Sequence, residues 1–201
     1  MVVMYYKEKA FKVAENVYEP AEDTFLLADN LGARKGERVL EFGTGCGLLA
    51  ILAARAGAQV VATDINPAAL ECARANAVTH GVADNIDFRL GDLFEPVAGE
   101  RFDLVIFNPP YLPVEPDEAL NGPLDRAWEA GPDGRVIIDR FLRELPNYLT
   151  PNGRALFVQS SLANISKTIQ MLKTNGFHVN TLRKKLSFEE LCLLRCFIAS
   201  K

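Results

Sequence analysis

Short apolar-rich runs alternate along this chain with stretches in which apolar residues recur every three or four positions. Arg38–Phe42, Gln59–Thr63, Ile86–Leu90, Phe102–Phe107 and Arg154–Gln159 have the length and continuity of strands buried on both faces. Helices are predicted over Glu19–Leu31, Leu48–Ala56, Pro67–Thr79, a segment from about Gly134 to Tyr148, and Ser161–Asn175. Acidic residues in the first turn favour the first of these, Pro67 suits a first helical turn, and Gly176 ends the last as a C′ residue. Phe177–Leu182 and Leu191–Ile198 follow as two strands with no helix between them, which predicts an antiparallel hairpin at one sheet edge. The alternation implies an α/β fold, a parallel sheet with helices on both faces. Residues 108–134 read as a long loop. Residues 1–16 read as a loose N-terminal extension, and 17–201 as a single domain.

Bulk properties narrow the class. A length of 201 residues, 49% of them hydrophobic and 24% charged, suits one well-buried domain. No apolar run approaches membrane-spanning length, and Met1–Lys12 mixes Tyr, Lys and Glu, so a cytoplasmic protein without a membrane segment is expected. A net charge of −4 and a pI of about 5.3 argue against a chain whose main task is gripping nucleic acid. The local basic strip Arg183-Lys184-Lys185 reads as a solvated turn. Cys46, Cys72, Cys192 and Cys196 form no Cys-x-x-Cys pair and His80 and His178 stand alone, so no metal site is predicted and a reducing compartment fits.

Candidate chemistry gathers at the C-terminal ends of the predicted strands. Arg38–Phe42 runs into Gly43-Thr44-Gly45-Cys46-Gly47. A strand, a glycine-rich turn and a helix make a nucleotide-type site, because bare backbone and helix N–H groups approach a ligand closely. The third glycine comes one position early for the dinucleotide pattern G-x-G-x-x-G, which argues against NAD or FAD. Glu41 fits poorly beside a pyrophosphate and better beside an ammonium or sulfonium charge. Asp64 closes the next strand roughly 20 residues past the first glycine, where a carboxylate accepts both ribose hydroxyls. Asp92 follows the third strand, placed to accept from an exocyclic amine, with Leu93 and Phe94 flanking a base. Three carboxylates at successive strand ends predict a nucleoside ligand in one crevice.

The strand Phe102–Phe107 ends in Asn108-Pro109-Pro110-Tyr111. Adjacent prolines supply no ladder hydrogen bonds, so the strand must stop there. What remains is a stiff backbone with carbonyl acceptors, an amide and a flat ring, a set that suits a planar NH2 group. The Asn108 side-chain oxygen and the Pro109 carbonyl would accept its two N–H bonds and stabilise positive charge growing on nitrogen, with Tyr111 stacked on the plane.

Together, Glu41 to Gly47, Asp64, Asp92 and the Asn108–Tyr111 tetrapeptide resemble class I S-adenosylmethionine-dependent methyltransferases acting on an amide or amine nitrogen. Val17-Tyr18-Glu19-Pro20-Ala21-Glu22-Asp23-Thr24-Phe25-Leu26-Leu27 and Gly131-x-x-Gly134-Arg135-x-x-x-Asp139-Arg140-Phe141 narrow the resemblance to the short archaeal and eukaryotic HemK-like enzymes. That family methylates the glutamine of the Gly-Gly-Gln motif in class I release factors. The resemblance implies a Rossmann-like class I fold with a seven-stranded, mostly parallel sheet in the order 3-2-1-4-5-7-6, strand seven antiparallel. It implies S-adenosylmethionine as cofactor and S-adenosylhomocysteine as product. By position, Thr24 would contact the methionine carboxylate end, Glu41 and Gly43 with the Gly45 turn would border the amino-acid part, Asp64 would bind the ribose, and Asp92 with Leu93 the adenine. Asn108, Pro109, Pro110, Tyr111 and Leu112 would clamp the substrate, with Asn108, Pro109 and Tyr111 catalytic.

The tetrapeptide alone does not separate a glutamine amide from adenine N6. Adenine methylation in a duplex needs base flipping and a basic surface or a recognition domain, for which this acidic chain has no room. Adenine-N6 methylation of DNA or RNA and lysine methylation of a protein stand as the alternatives. Short family members work with a small zinc-binding activator, Trm112, expected here on the edge strand Ile86–Leu90, where Ile86 and Phe88 would be a liability if uncovered. Bacterial relatives read the release factor with an N-terminal helical domain. In this chain that task would fall to loops around Asn108, to the 115–134 segment, where Trp128 either lines the mouth or anchors the loop, and to the N-terminal stretch.

Overall fold

A computed structural model describes residues 1–113 and 130–198; Trp128 and most of the 115–134 segment lie outside the described residues. The elements run β1 (Val2–Tyr6), β2 (Lys9–Val13), α1 (Glu22–Asp29), β3 (Arg38–Phe42), α2 (Leu48–Arg55), β4 (Gln59–Asp64), α3 (Pro67–Thr79), β5 (Ile86–Leu90), β6 (Phe102–Phe107), α4 (Val136–Tyr148), β7 (Leu149–Ser160), α5 (Ile165–Thr174), β8 (Phe177–Lys185) and β9 (Glu190–Ile198).

Strands β3 to β9 form one sheet in the order β5-β4-β3-β6-β7-β9-β8, which is the expected 3-2-1-4-5-7-6 when the strands are counted from β3. Pairing is parallel from β5 through β7, and β9 runs antiparallel to both of its neighbours. The chain steps outward from β3 to β5, then returns to β6 on the other side of β3. Right-handed crossovers therefore put α2 and α3 on one face and α4 and α5 on the other. Central strands sandwiched in this way can be apolar throughout, as β3 and β6 nearly are. The crevice beyond the C-terminal ends of β3 and β6 is the topological switch point where such sheets bind ligands. Its floor is aromatic. Phe42 packs on Phe94 and Phe107, and Phe141 on Phe107 and Phe157, at centroid distances of 4.7, 5.5, 5.1 and 5.4 Å. Each such pair adds about 0.5–1.5 kcal/mol beyond its burial, which stiffens the base of the loops above.

Several expectations need correction. Residues 1–16 are not loose: β1 and β2 pair in an antiparallel hairpin whose Met4, Tyr6, Phe11 and Val13 join the core. Asn76 of α3 ties this hairpin down, accepting from the Lys12 N–H at 3.0 Å and donating to the Lys12 carbonyl at 2.8 Å. Helix α1 begins at Glu22, because a residue before proline is pushed out of the helical region and Ala21 is extended. The helix expected over Ser161–Asn175 breaks at Asn164, whose left-handed backbone (φ 52°) lets its side chain cap α5. Strand β7 starts five residues early, Leu149 pairing with Phe102 across an irregularity in register. Arg183 and Lys184 extend β8 rather than form a solvated turn, and they pair with Glu190 and Glu22. On the edge strand β5, Ile86 and Phe88 point inward and are buried; Leu90 is the exposed apolar side chain. No helix among the described residues is long and apolar enough to cross a membrane.

Candidate functional site

The twelve residues given cofactor or substrate roles line one cleft of about 480 Å³ at this switch point, whereas Phe94, expected to flank a base, is buried against Phe42 and does not line it. The charged lining of the cleft is one-sided. Among the described residues, Glu22, Asp23, Glu41, Asp64, Asp92 and Glu189 contribute carboxyl groups, against a single arginine, Arg140.

One half of the cleft is built from the ends of β3, β4 and β5. Glu41, deeply buried at the end of β3, accepts a hydrogen bond from Thr44 Oγ1 at 2.6 Å. Burial pushes its carboxyl up to about 8; the Thr44 bond opposes the rise and the nearby Asp64 charge adds to it. A carboxyl in that state is suited to a cationic ligand, which would restore its ionised form. Asp64 accepts from the Gly45 N–H at 3.0 Å through Oδ2 and from the Asn66 N–H at 2.9 Å through Oδ1. Burial raises its pKa while these N–H groups hold it down, and both oxygens keep a lone pair for a diol. The early third glycine has a packing reason: Gly47 has φ 86°, and a Cβ there would lie 3.0 Å from Ala73 Cβ of α3. Asp92 Oδ2 accepts from Arg140 Nη2 at 2.7 Å, which leaves Oδ1 without a donor among the described residues. Leu93 beside it has φ 45°, a left-handed backbone that costs a leucine about 1–2 kcal/mol and is kept where a site demands it.

The other half is organised around Asp23. Asn108 Nδ2 donates to Asp23 Oδ2 at 3.0 Å and to Thr24 Oγ1 at 3.1 Å. The Tyr111 hydroxyl donates to the same Asp23 oxygen at 2.9 Å and that of Tyr18 at 3.2 Å, while the Thr24 N–H reaches Oδ1 at 2.6 Å. A carboxylate can only accept, so the nitrogen end of the Asn108 amide must face Asp23. Asn108 Oδ1 is thereby turned away; it is buried and accepts no hydrogen bond among the described residues. An orphaned acceptor of this kind costs about 1–3 kcal/mol. Burial, then the Asp23 charge, raises the Tyr111 phenol far above its ordinary range, so it stays a donor. Behind it, Gly134 has φ 69°, and a Cβ there would fall 2.2 Å from the Tyr111 carbonyl oxygen. The adjacent buried Arg135 donates to Asp139, to the Ala163 carbonyl and to Thr168 Oγ1, which fixes the start of α4 against α5. The Gly-x-x-Gly-Arg-x-x-x-Asp segment thus backs the tyrosine. Asp23 itself escaped the sequence reading, where it was one of two acids in a first helical turn.

Residues 18–118 match the family described as "Methyltransferase small domain". The chain is 47% identical over 188 residues to the Methanocaldococcus jannaschii protein MJ0928, which carries a protein N5-glutamine methyltransferase name; the match covers 92% of this chain and 94% of that one. It is 36% identical over 192 residues to the human methyltransferase HEMK2, covering 90% and 89%. Among solved structures it is similar to the E. cuniculi Mtq2–Trm112 complex, described as responsible for methylating the translation termination factor eRF1. That likeness has a TM-score of 0.72 at 26% identity and covers 92% of this chain and 99% of that one.

Proposed function

This chain belongs to the HemK-like family of protein N5-glutamine methyltransferases, and on that premise we propose that it methylates the side-chain amide nitrogen of the glutamine in the Gly-Gly-Gln loop of a class I release factor. The observation that carries this reading is Asn108 Oδ1, a buried acceptor without a donor, beside Pro109 in the cleft. The acidic lining supports a neutral amide over adenine, because a phosphodiester strand brought beside Asp23 and Glu189 would be repelled.

An amide nitrogen is a poor nucleophile, since its lone pair is delocalised into the carbonyl. S-adenosylmethionine, when bound, supplies a methyl group on a sulfonium sulfur, which departs as a neutral thioether. Glu41, Gly43, Gly45 and Thr24 would hold its amino-acid end, Asp64 its ribose, and Asp92 with Leu93 its adenine. Asn108 Oδ1 and the Pro109 carbonyl accept the two substrate N–H bonds and stabilise the positive charge that grows on nitrogen, which gives up one of these protons to water once methylated and so restores a neutral amide. Tyr111 lies on the amide plane, and Pro110 and Leu112 wall the clamp. Asp23 keeps the acceptor end of Asn108 toward the substrate, so the clamp selects donors.

Labelled S-adenosylmethionine with purified class I release factor tests the reading. Label is expected in the wild-type factor and absent when the glutamine of its Gly-Gly-Gln loop is alanine. Transfer to naked DNA or RNA instead would replace it with the adenine reading. The same assay tests a partner. The E. cuniculi relative is complexed with Trm112, and the counterpart proposed for this chain is a Trm112-like zinc-binding activator paired along the free edge of β5. Strand β5 ends the sheet, Leu90 is 58% exposed, and Val78 on the helix packed against it is 68% exposed. Transfer is expected to rise when the activator is added; a chain fully active alone would remove it.

A further inference from the structure

Two buried side-chain polar atoms among the described residues have no hydrogen-bond partner, and both belong to residues of the same cleft. One is Asn108 Oδ1; the other is Glu189 Oε2. Glu189 sits at the tip of the β8–β9 hairpin, which turns through Ser187 and Phe188 and is closed by the Leu186 N–H donating to the Glu189 carbonyl at 2.8 Å. The hairpin is tethered by the Lys184–Glu22 ion pair to α1, and by the Glu190 N–H donating to Ser161 Oγ at 3.1 Å. Leu186, Glu189 and Leu191 line the cleft with Tyr18 and Tyr111, and the Glu189 charge helps to raise both phenols. Phe188, next to it, is 98% exposed, more than any other large hydrophobic residue described.

A glutamine side chain is short. When its amide lies in the clamp, its main chain must lie only a few ångströms away, at the rim. Peptide groups brought there lose water and need partners. An orphaned carboxylate oxygen is costly in its own right and calls for a donor. A main-chain N–H satisfies it without desolvating a second charge, which a guanidinium or ammonium head would require. Glycines leave the main chain bare, so it can rest flat on an exposed aromatic ring. Resting on the release-factor reading above, we infer that Phe188 and Glu189 form a docking edge for the substrate main chain. Glu189 Oε2 accepts a main-chain N–H within one residue of the target glutamine, and Phe188 packs on the flanking glycines.

Calorimetric titration of a Gly-Gly-Gln peptide into the full chain, saturated with S-adenosylhomocysteine, tests this. Glu189→Gln and Glu189→Ala are expected to weaken peptide binding about tenfold, and Phe188→Ala about threefold, with no loss of thermal stability and S-adenosylhomocysteine affinity unchanged. Peptides N-methylated in turn at the glutamine and its two neighbours each lack one N–H. For one of them, the loss seen with wild type should vanish against Glu189→Ala. Unchanged peptide affinity in all three variants, additive losses with every N-methylated peptide, or a matching loss of S-adenosylhomocysteine affinity would overturn the docking edge alone. A wild type that does not distinguish the peptide from its Gln→Ala counterpart would overturn the release-factor reading, and this inference with it.

Discussion

The two halves of the cleft hold their polar groups by different means. On the cofactor side, each carboxylate has its own partners: Asp64 the N–H groups of Gly45 and Asn66, Glu41 the Thr44 hydroxyl, and Asp92 the Arg140 guanidinium. On the clamp side, one carboxylate holds the hydroxyls of Tyr18 and Tyr111, the Asn108 amide and Thr24, and the bonds to Asn108 and Tyr111 span 85 and 88 residues of sequence. Separate bonds can be lost one at a time. A shared hub cannot, because removing it frees several side chains together. Damage to the first half should therefore appear as weaker cofactor binding, and damage to the second as slower transfer.

The largest expected effect comes from deleting the clamp acceptor. Asn108→Ala should lower turnover about 10²–10³-fold, the usual scale for one oriented polar group at a reacting centre, with cofactor affinity little changed. Asp64→Ala should do the reverse and weaken S-adenosylmethionine binding about 10–100-fold, since two charge-assisted bonds to a diol are lost. Calorimetry beside single-turnover transfer checks both. Equal losses of binding and turnover in either variant would mean the halves are not separate.

Asp23→Asn is subtler. It keeps size and shape, yet an amide at position 23 can offer either a donor or an acceptor. Asn108 is then free to turn its nitrogen toward the substrate, where it meets N–H with N–H. Turnover is expected to fall about tenfold or more, while KM for the release factor and cofactor affinity move little. A rise in KM with turnover intact would assign Asp23 to substrate binding instead.

This contrast also sets what the sequence could reveal. Glu41, Asp64, Asp92 and the glycines are legible because each stands at or just beyond the C-terminal end of a strand, where such sheets bind ligands. The alternation yields a parallel sheet with an antiparallel hairpin at one edge, whereas the strand order is implied only by the family resemblance. Asp23 is not legible, since an acid in a first helical turn is explained by the dipole alone, and only a contact with Asn108 sets it apart. The β1–β2 hairpin escapes for another reason. Its turn residues Lys7 and Glu8 have φ of 44° and 66° without the Gly or Asn that marks such a turn. Ile86 and Phe88 were read correctly as apolar, but the pattern along one strand does not say which face is covered.

Glu41 gives the smallest effect, and its sign can be worked out beforehand. Its carboxyl stands at about 8 in the folded chain, through burial first, against roughly 4.3 for an unperturbed glutamate. The folded state binds the extra proton between those values. Stability from this group is therefore full below the lower value and is lost as pH rises through the upper one. Glu41→Gln abolishes that titration, so its melting temperature should match wild type near about pH 5 and exceed it near about pH 8.5. A cationic cofactor end against Glu41 favours the ionised form. Wild-type affinity for S-adenosylmethionine should then rise with pH across the same window, with proton release read as a buffer-dependent calorimetric enthalpy. Glu41→Gln should bind a few-fold more weakly and show no such slope, whereas Asn108→Ala, across the cleft, should keep it. A wild-type affinity flat in pH would move the cofactor's positive end away from Glu41, and the cleft could no longer be divided into a half that takes a cation and a clamp that takes a neutral amide.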